Sequence, residues 1–259
     1  MCIIVIVPPE KNPTEKTLRT CFTANPDGAG LMYIQNRKVI IVKGLMTFHS
    51  FMKAYEAVPK SKLRILHFRI ATSGGVQERI THPFPVTTNT RSLYALNTTA
   101  DVAVVHNGFI AEYHVEAHQK KTSDTALFTS RVLTVSPLVW ENANLRQFLP
   151  EKLVILDAVK NKYYTTGEFS KDKDGVQYSN TSYKERVFSY CEICGCVLMG
   201  IEKDYCYKCR PSTSSIINPY SYNQYEVDYC DNCGEPYDYN PKVQDYGLCP
   251  ICREEEEEV

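Results

Sequence analysis

The sequence predicts an α+β protein in two unequal parts, a mixed sheet-and-helix domain over residues 1–187 and a cysteine-rich remainder. Three observations carry this. In the first part, β-branched runs and helical periodicities are mixed without the regular alternation of a doubly wound sheet, which favours α+β layers over a parallel dinucleotide-binding fold. From Phe188 onward there are 5 Lys/Arg against 14 Asp/Glu, a net of −9, whereas residues 1–187 carry 24 basic and 16 acidic side chains, a net of +8. Of the 11 cysteines, only Cys2 and Cys21 precede that boundary. The first part is long enough for a substantial core. The second, about 70 residues, needs staples to hold a fold.

The elements follow in order. Cys2 to Val7 is a continuous apolar run stopped by Pro8-Pro9, as expected of a buried strand. Asn25-Pro26-Asp27-Gly28 is a turn signal, and Gly30 to Ile34 continues as a strand. Lys38 to Val42 is a second β-branched run, paired with the first as a hairpin. Phe48, Phe51, Met52 and Tyr55 recur at helical spacing and predict a helix over 47–57. Leu63 to Ala71, Leu93 to Leu96 and Val102 to Val105 read as further strands. Ser123 is an N-cap for a helix from Asp124 to about Leu133. Leu153 to Ala158 and Lys162 to Thr166 form a late hairpin around Lys160-Asn161.

Composition narrows the function. The total charge of −1 does not suggest a basic nucleic-acid binder. No run of about 18 apolar residues occurs, so no membrane span is expected. No charged flank precedes a long apolar stretch at the start, so no signal peptide is expected. A cytoplasmic, reducing location follows, and there closely spaced cysteines bind metal rather than form disulfides.

Cys191-x2-Cys194 with Cys206-x2-Cys209, and Cys230-x2-Cys233 with Cys249-x2-Cys252, supply two sets of four thiolates. Each set suits a tetrahedral structural zinc with no open position for catalysis. Gly195 and Gly234 follow the second cysteine of their knuckles, where a tight turn favours glycine. The expected organisation is a zinc-ribbon-like module over 188–212, a Tyr-rich linker over 213–228, a second module over 229–253 and an acidic tail over 254–259. Cys196 is either a spare thiol or a competitor of Cys194. The net of −9 argues against tracking phosphates. Tyr220, Tyr222, Tyr225 and Tyr229 offer stacking surfaces, with protein contact favoured over bases.

In the first part, chemistry starts at Cys2. Aminopeptidases remove Met1 before a small residue, leaving a free α-amine on the carbon that bears the thiol. With reference pKa values near 8 and 8.5, that amine can take the thiol proton and later return it to a leaving amine. By itself Cys2 reads equally as a small apolar residue opening a strand. Arg69, at a strand end, can grip a carboxylate through a bidentate pair or serve as a surface ion-pair residue. Asn107-Gly108 offers a side-chain amide beside a backbone N–H, an oxyanion hole or a hairpin turn. Asp124 either pairs with a substrate ammonium or complements the helix dipole.

Met1-Cys2, Asn25-Pro26-Asp27-Gly28-Ala29-Gly30, His67-Phe68-Arg69-Ile70-Ala71-Thr72, Thr81-His82-Pro83-Phe84, His106-Asn107-Gly108-Phe109-Ile110 and Ser123-Asp124-Thr125 together resemble the class II glutamine amidotransferase domain. The resemblance spans roughly 1–187, with the segments in the family's order. It implies a four-layer αββα fold of the N-terminal-nucleophile (Ntn) hydrolase type. It implies that Cys2 attacks the side-chain amide of glutamine, that Asn107 and Gly108 hold the oxyanion, and that Arg69 and Asp124 bind the carboxylate and ammonium. Thr72 matches a position near the carboxylate. His67, His82 and His106 are expected to be structural. No organic cofactor is expected.

This sequence departs from the family pattern at three points. Ile3 and Ile4 stand where Gly usually follows the nucleophile, Thr81 replaces an Asn, and Ala126 replaces a Glu. Residues beyond 187 are too few for a synthase domain, so the resemblance implies ammonia delivery to a separate protein partner, with the acidic tail region as a docking module. Two other readings keep the fold. One is an amidohydrolase acting on another γ-glutamyl or small amide, and the other is an inactive Ntn-like zinc-binding scaffold.

Overall fold

Ile3–Val7 forms strand β1, and all five residues are buried. Ile3, Val5 and Val7 enter one core, whereas Ile4 and Ile6 enter another. An unbroken apolar run is what a strand covered on both faces requires. Pro8, which lacks an N–H, ends it. In this computed structural model the described residues are 2–71, 74–136 and 138–184, with 189–190, 193, 197–198, 227–229 and 236–238 in the C-terminal part. The chain divides into two compact units, Met1–Val187 and Phe188–Val259.

In the first unit β1 is followed by α1 (Glu15–Ala24), β2 (Ala29–Gln35), β3 (Lys38–Leu45), α2 (Phe48–Glu56) and β4 (Arg64–Phe68). Then come β5 (Phe84–Pro85), α3 (Thr90–Tyr94), β6 (Asn97–Ala100), β7 (Val102–His106), α4 (Ala111–Gln119) and α5 (Asp124–Phe128). The unit ends with α6 (Leu138–Glu141), α7 (Ala143–Arg146), β8 (Leu153–Asp157), β9 (Lys162–Thr165), β10 (Ser170–Lys171) and β11 (Gln177–Tyr178). The strands form a sheet ordered β10-β11-β1-β4-β2-β3-β6 and a second ordered β5-β7-β8-β9. Every adjacent pair is antiparallel.

Three cores explain the layering. Leu18, Phe22, Phe51 and Tyr55 of α1 and α2 pack on Ile3, Leu31, Leu66 and Phe68 of the first sheet. Its opposite face meets the second sheet through Ile4, Met32, Ile41 and Ile65 against Ala103, Val105, Val154 and Leu156. The far face of the second sheet is covered by Leu93, Phe128, Leu133 and Trp140. The first unit is therefore α+β, with two antiparallel sheets face to face and helices outside each.

The expected strand at 93–96 is a correction. Asn89 caps α3 by accepting the Ser92 N–H at 3.0 Å, and Leu93 turns inward from that helix. The strand begins at Asn97 instead. Helices α1 and α4 add to the expected set. Thr14 caps α1 by accepting the Thr17 N–H at 3.1 Å, and Leu18, Cys21 and Phe22 form its buried stripe. The helix expected over 124–133 is α-helical to Phe128 and continues as a π-helical turn over Thr129–Leu133.

Gly30 shows how closely the sheets meet. A Cβ there would collide with the His82 carbonyl oxygen and lie 2.9 Å from the Val42 oxygen. His82 precedes a cis Pro83, just ahead of β5.

In the second unit, Ser189–Tyr190 pairs antiparallel with Val197–Leu198, and Val227–Tyr229 pairs with Pro236–Asp238. We label these strands β12, β13, β14 and β15 in that order. Among the described residues no helix is long and apolar enough to cross a membrane.

Candidate active site

Strand register brings the sequence-predicted residues to one end of the sheets. Ile3 pairs with Phe68, so the start of β1 meets the end of β4, where Cys2 and Arg69 continue the two strands. The Cys2 thiol lies 3.4 Å from both the N–H and the carbonyl oxygen of Ile70, donating to the oxygen and accepting from the nitrogen. Burial raises the thiol pKa, against the opposing pull of the Ile70 N–H, the Arg69 charge and the terminal amine. With Met1 still in place, burial thus favours the protonated thiol.

Arg69 is 4% exposed. Burial lowers its pKa, while Cys2, Asp27 and Asp124 act on it electrostatically in the opposite direction. Asp27 also fixes the chain just beyond β4. Its N–H donates to the Arg69 carbonyl at 2.9 Å and its carboxylate accepts the Ala71 N–H at 2.7 Å. Thr72 lies outside the described residues.

Asn107 follows β7 and is 6% exposed. Its side-chain nitrogen lies 2.9 Å from Ser179 Oγ, and its side-chain oxygen is buried without a partner among the described residues. Gly108 is pressed against the preceding histidine, since a Cβ there would lie 3.0 Å from His106 Nε2. Glycine is thus favoured here by close approach to a side chain and not by a left-handed backbone.

Asp124 opens α5 and is 4% exposed. One oxygen accepts the Ile110 N–H at 2.7 Å, and the other accepts the Thr125 N–H at 2.6 Å. Ser123 supplies no side-chain cap. Oδ1 also receives the Thr125 hydroxyl at 3.3 Å and the Ser123 hydroxyl at 3.4 Å, so the carboxylate satisfies helix-terminus and loop donors together, and the lone pair left for a further cation is on Oδ2, which accepts the Ile110 N–H.

The three motif histidines are buried. His67 Nε2 lies 3.0 Å from the His106 carbonyl oxygen, and the His67 and His82 rings pack at a 41° tilt with centroids 4.2 Å apart. Burial lowers His67 to about 3 and His106 to about 4, and holds His82 well below its ordinary value. Neutral imidazoles of this kind are packing and hydrogen-bonding groups. His106 Nδ1 sits 3.1 Å from Thr125 Oγ1 and so supports both Gly108 and α5.

Sequence reasoning passed over Ser179 and Asn180. Ser179 donates its N–H to the Ile4 carbonyl at 3.0 Å and accepts the Ile4 N–H on Oγ at 2.9 Å. Asn180 Nδ2 donates to the Cys2 carbonyl at 2.7 Å. The available signal was a polar run, Ser179-Asn180-Thr181-Ser182, directly after the β-prone Val176-Gln177-Tyr178.

The eight expected zinc ligands, Cys191, Cys194, Cys206, Cys209, Cys230, Cys233, Cys249 and Cys252, lie outside the described residues. Two of the CxxC segments nonetheless fall between paired strands, Cys191–Cys194 between β12 and β13 and Cys230–Cys233 between β14 and β15. Among the described residues no group of His, Cys, Asp or Glu forms a metal site.

No family model matches the chain, and no curated protein matches it. The chemistry of the site therefore rests on these residues themselves.

Proposed function

We propose that the first unit is an Ntn-type glutamine amidotransferase that hydrolyses glutamine to glutamate and ammonia through Cys2. One observation carries the reading. The Cys2 backbone and the Asn107 side chain are held in a single hydrogen-bonded frame, through Asn180 and Ser179 respectively. A terminal thiol and a buried carboxamide, with Arg69 and Asp124 close by, meet the needs of an acyl transfer from an amino-acid amide.

After removal of Met1, Cys2 carries a free α-amine. The thiol rests protonated, so attack requires a base, and the amine takes the proton directly or through a water. Cys2 Sγ bonds to the amide carbon of glutamine while the carbonyl oxygen gains negative charge. Asn107 and the Gly108 N–H stabilise that charge. The C–N bond then breaks, and the ammonium proton carrier returns its proton to the leaving nitrogen, releasing ammonia. Water attacks the thioester, with the amine again as base, and glutamate leaves with the thiol restored. Arg69 holds the substrate carboxylate and Asp124 its ammonium, so the amide is delivered in one orientation.

The layer order of helices, sheet, sheet, helices supports the Ntn assignment. Ile3 and Ile4 in place of the family's glycine are accommodated by cores on both sides of β1. In the second unit, the two cysteine quartets would each hold a zinc ion as a structural cross-link. The acidic charge of that unit supports a docking role toward a protein that consumes the ammonia.

The test is glutamate release from glutamine by the Met1-processed chain, alongside other γ-glutamyl amides. Hydrolysis that disappears in Cys2→Ala, together with a covalent adduct of a glutamine-like diazoketone on Cys2, is the expected result. A preference for another γ-glutamyl amide would redirect the substrate assignment. No turnover and no adduct would leave an inactive scaffold.

A further inference from the structure

The unpartnered end of Asn107 points to a further functional residue. A carboxamide that stabilises an oxyanion must turn an N–H toward the substrate. Here one of the two N–H groups is directed at Ser179 Oγ, 2.9 Å away, while the oxygen is buried without a partner among the described residues. The two ends of an asparagine side chain have nearly the same shape, and only the surrounding donors and acceptors decide which is which.

Those surroundings favour the opposite orientation. Ser179 Oγ already accepts the Ile4 N–H at 2.9 Å. A hydroxyl in that position has one proton to donate and a further lone pair. Turning the carboxamide lets the Ser179 hydroxyl donate to Asn107 Oδ1. It also converts the buried, unpartnered acceptor into an N–H donor. An unpartnered buried donor costs as much as an unpartnered buried acceptor, but only the donor is satisfied when a substrate oxygen arrives, as an oxyanion site requires.

Ser179 is well placed to impose this. It is 4% exposed. Its own position is fixed by two bonds to Ile4, one from its backbone and one to its side chain. The next residue, Asn180, holds the Cys2 carbonyl at 2.7 Å. Two consecutive residues thus link the strand of the nucleophile to the loop of the oxyanion donor, which belong to different sheets.

We propose that Ser179 is a positioning residue whose hydroxyl donates to Asn107 Oδ1 and thereby aims Asn107 Nδ2 at the substrate carbonyl oxygen. This rests on the amidotransferase reading. It goes further by giving the oxyanion donor an orienting partner just after β11, the strand beside the nucleophile's own.

The test compares wild type, Ser179→Ala and Ser179→Thr in the full, Met1-processed chain. Glutamine kinetics are measured together with the rate at which a small disulfide reagent modifies Cys2. Disulfide exchange needs the thiol but forms no oxyanion, so it reports the nucleophile alone. Ser179→Ala is expected to lower kcat about ten- to hundred-fold, as expected when a catalytic group is misdirected without being removed. KM and the disulfide rate should stay within about two-fold, in keeping with a defect confined to the transition state. Ser179→Thr, which keeps the hydroxyl, should recover most of the loss. Wild-type kcat in Ser179→Ala overturns the proposal, as does a parallel fall in kcat and disulfide rate, which would mark general disruption of the strand. A wild-type chain that hydrolyses no γ-glutamyl amide overturns the amidotransferase reading itself, and this inference with it.

Discussion

Asp124 accepts the Ile110 N–H at 2.7 Å, so the carboxylate that opens α5 also fastens the loop that leaves Asn107 and Gly108. Its other oxygen is occupied by the Thr125 N–H at 2.6 Å. A charge so constrained can meet an incoming ammonium without reorganising. Asp124→Asn keeps the shape and one acceptor but removes the charge. A hydrogen bond to a charged group is worth about 1.5–3 kcal/mol, so kcat/KM for glutamine should fall by about ten- to a hundred-fold or somewhat more. A glutamine analogue lacking the α-ammonium group separates the roles. Because the variant's amide nitrogen faces one of the two backbone N–H groups that the carboxylate accepts, a deficit remains with this analogue, but it should be clearly smaller than with glutamine, and an equal deficit on both substrates would assign Asp124 to loop anchoring alone.

Asn107→Ala tests the oxyanion donor directly. Loss of one such donor costs about 10²–10³ in kcat. Cys2 lies on another strand and keeps its Ile70 contacts, so modification by a disulfide reagent should proceed at the wild-type rate. Retained kcat in Asn107→Ala would exclude this side chain from the reacting centre.

The pH dependence has two separable parts. Activity should rise from pH 6 to about 8.5, because the thiol rests protonated and the neutral α-amine, with a pKa near 8, must remove its proton. Stability responds to the histidines. His67 is lowered to about 3 and His106 to about 4 in the folded chain, against about 6.5 unfolded. Between those values the unfolded chain binds more protons. The stabilisation from neutral His67 and His106 is complete above about pH 6.5 and is lost progressively as pH falls toward 4. Thermal melts from pH 7 to pH 4 should show a steep decline that His67→Gln reduces. A flat profile would contradict the buried, neutral assignment.

Much of the first unit is legible from its residues because the signals there are local. The Ile3–Val7 run is apolar on both faces, and the 153–157/162–165 hairpin brackets its turn. Leu93 to Leu96 misled because four apolar residues fit a short helix as well as a strand, and the deciding group, the Asn89 cap, lies outside the run. In the site, Cys2, Arg69, Asn107 and Asp124 carry reactive or charged groups that stand out in a sequence. Ser179 and Asn180 do not. Their role comes from lying beside Ile4 and Cys2, some 175 positions away, which only sheet pairing reveals.

Gly30→Ala examines how the sheets meet. The added methyl would collide with the His82 backbone oxygen and crowd the Val42 oxygen and Lys43 Cβ. Backbone cannot yield as a flexible side chain does, so the cost should reach or exceed the ~1–3 kcal/mol typical of overpacking. A Tm drop of several degrees or loss of soluble protein is expected. An unchanged Tm would mean that β2 and the His82–Pro83 segment are farther apart than described.

Metal content tests the second unit independently of catalysis. If Cys191-x2-Cys194 joins Cys206-x2-Cys209, and Cys230-x2-Cys233 joins Cys249-x2-Cys252, in two four-thiolate sites, purified protein should hold about two zinc ions per chain, and Cys191→Ser or Cys230→Ser should each lose one. Structural zinc supplies folding free energy. A strong chelator should therefore abolish the unfolding transition of residues 188–259. Glutamine hydrolysis should survive in the same sample, because Cys2, Arg69, Asn107 and Asp124 belong to the other compact unit. Activity lost in step with the metal would show that the zinc sites also support the catalytic unit.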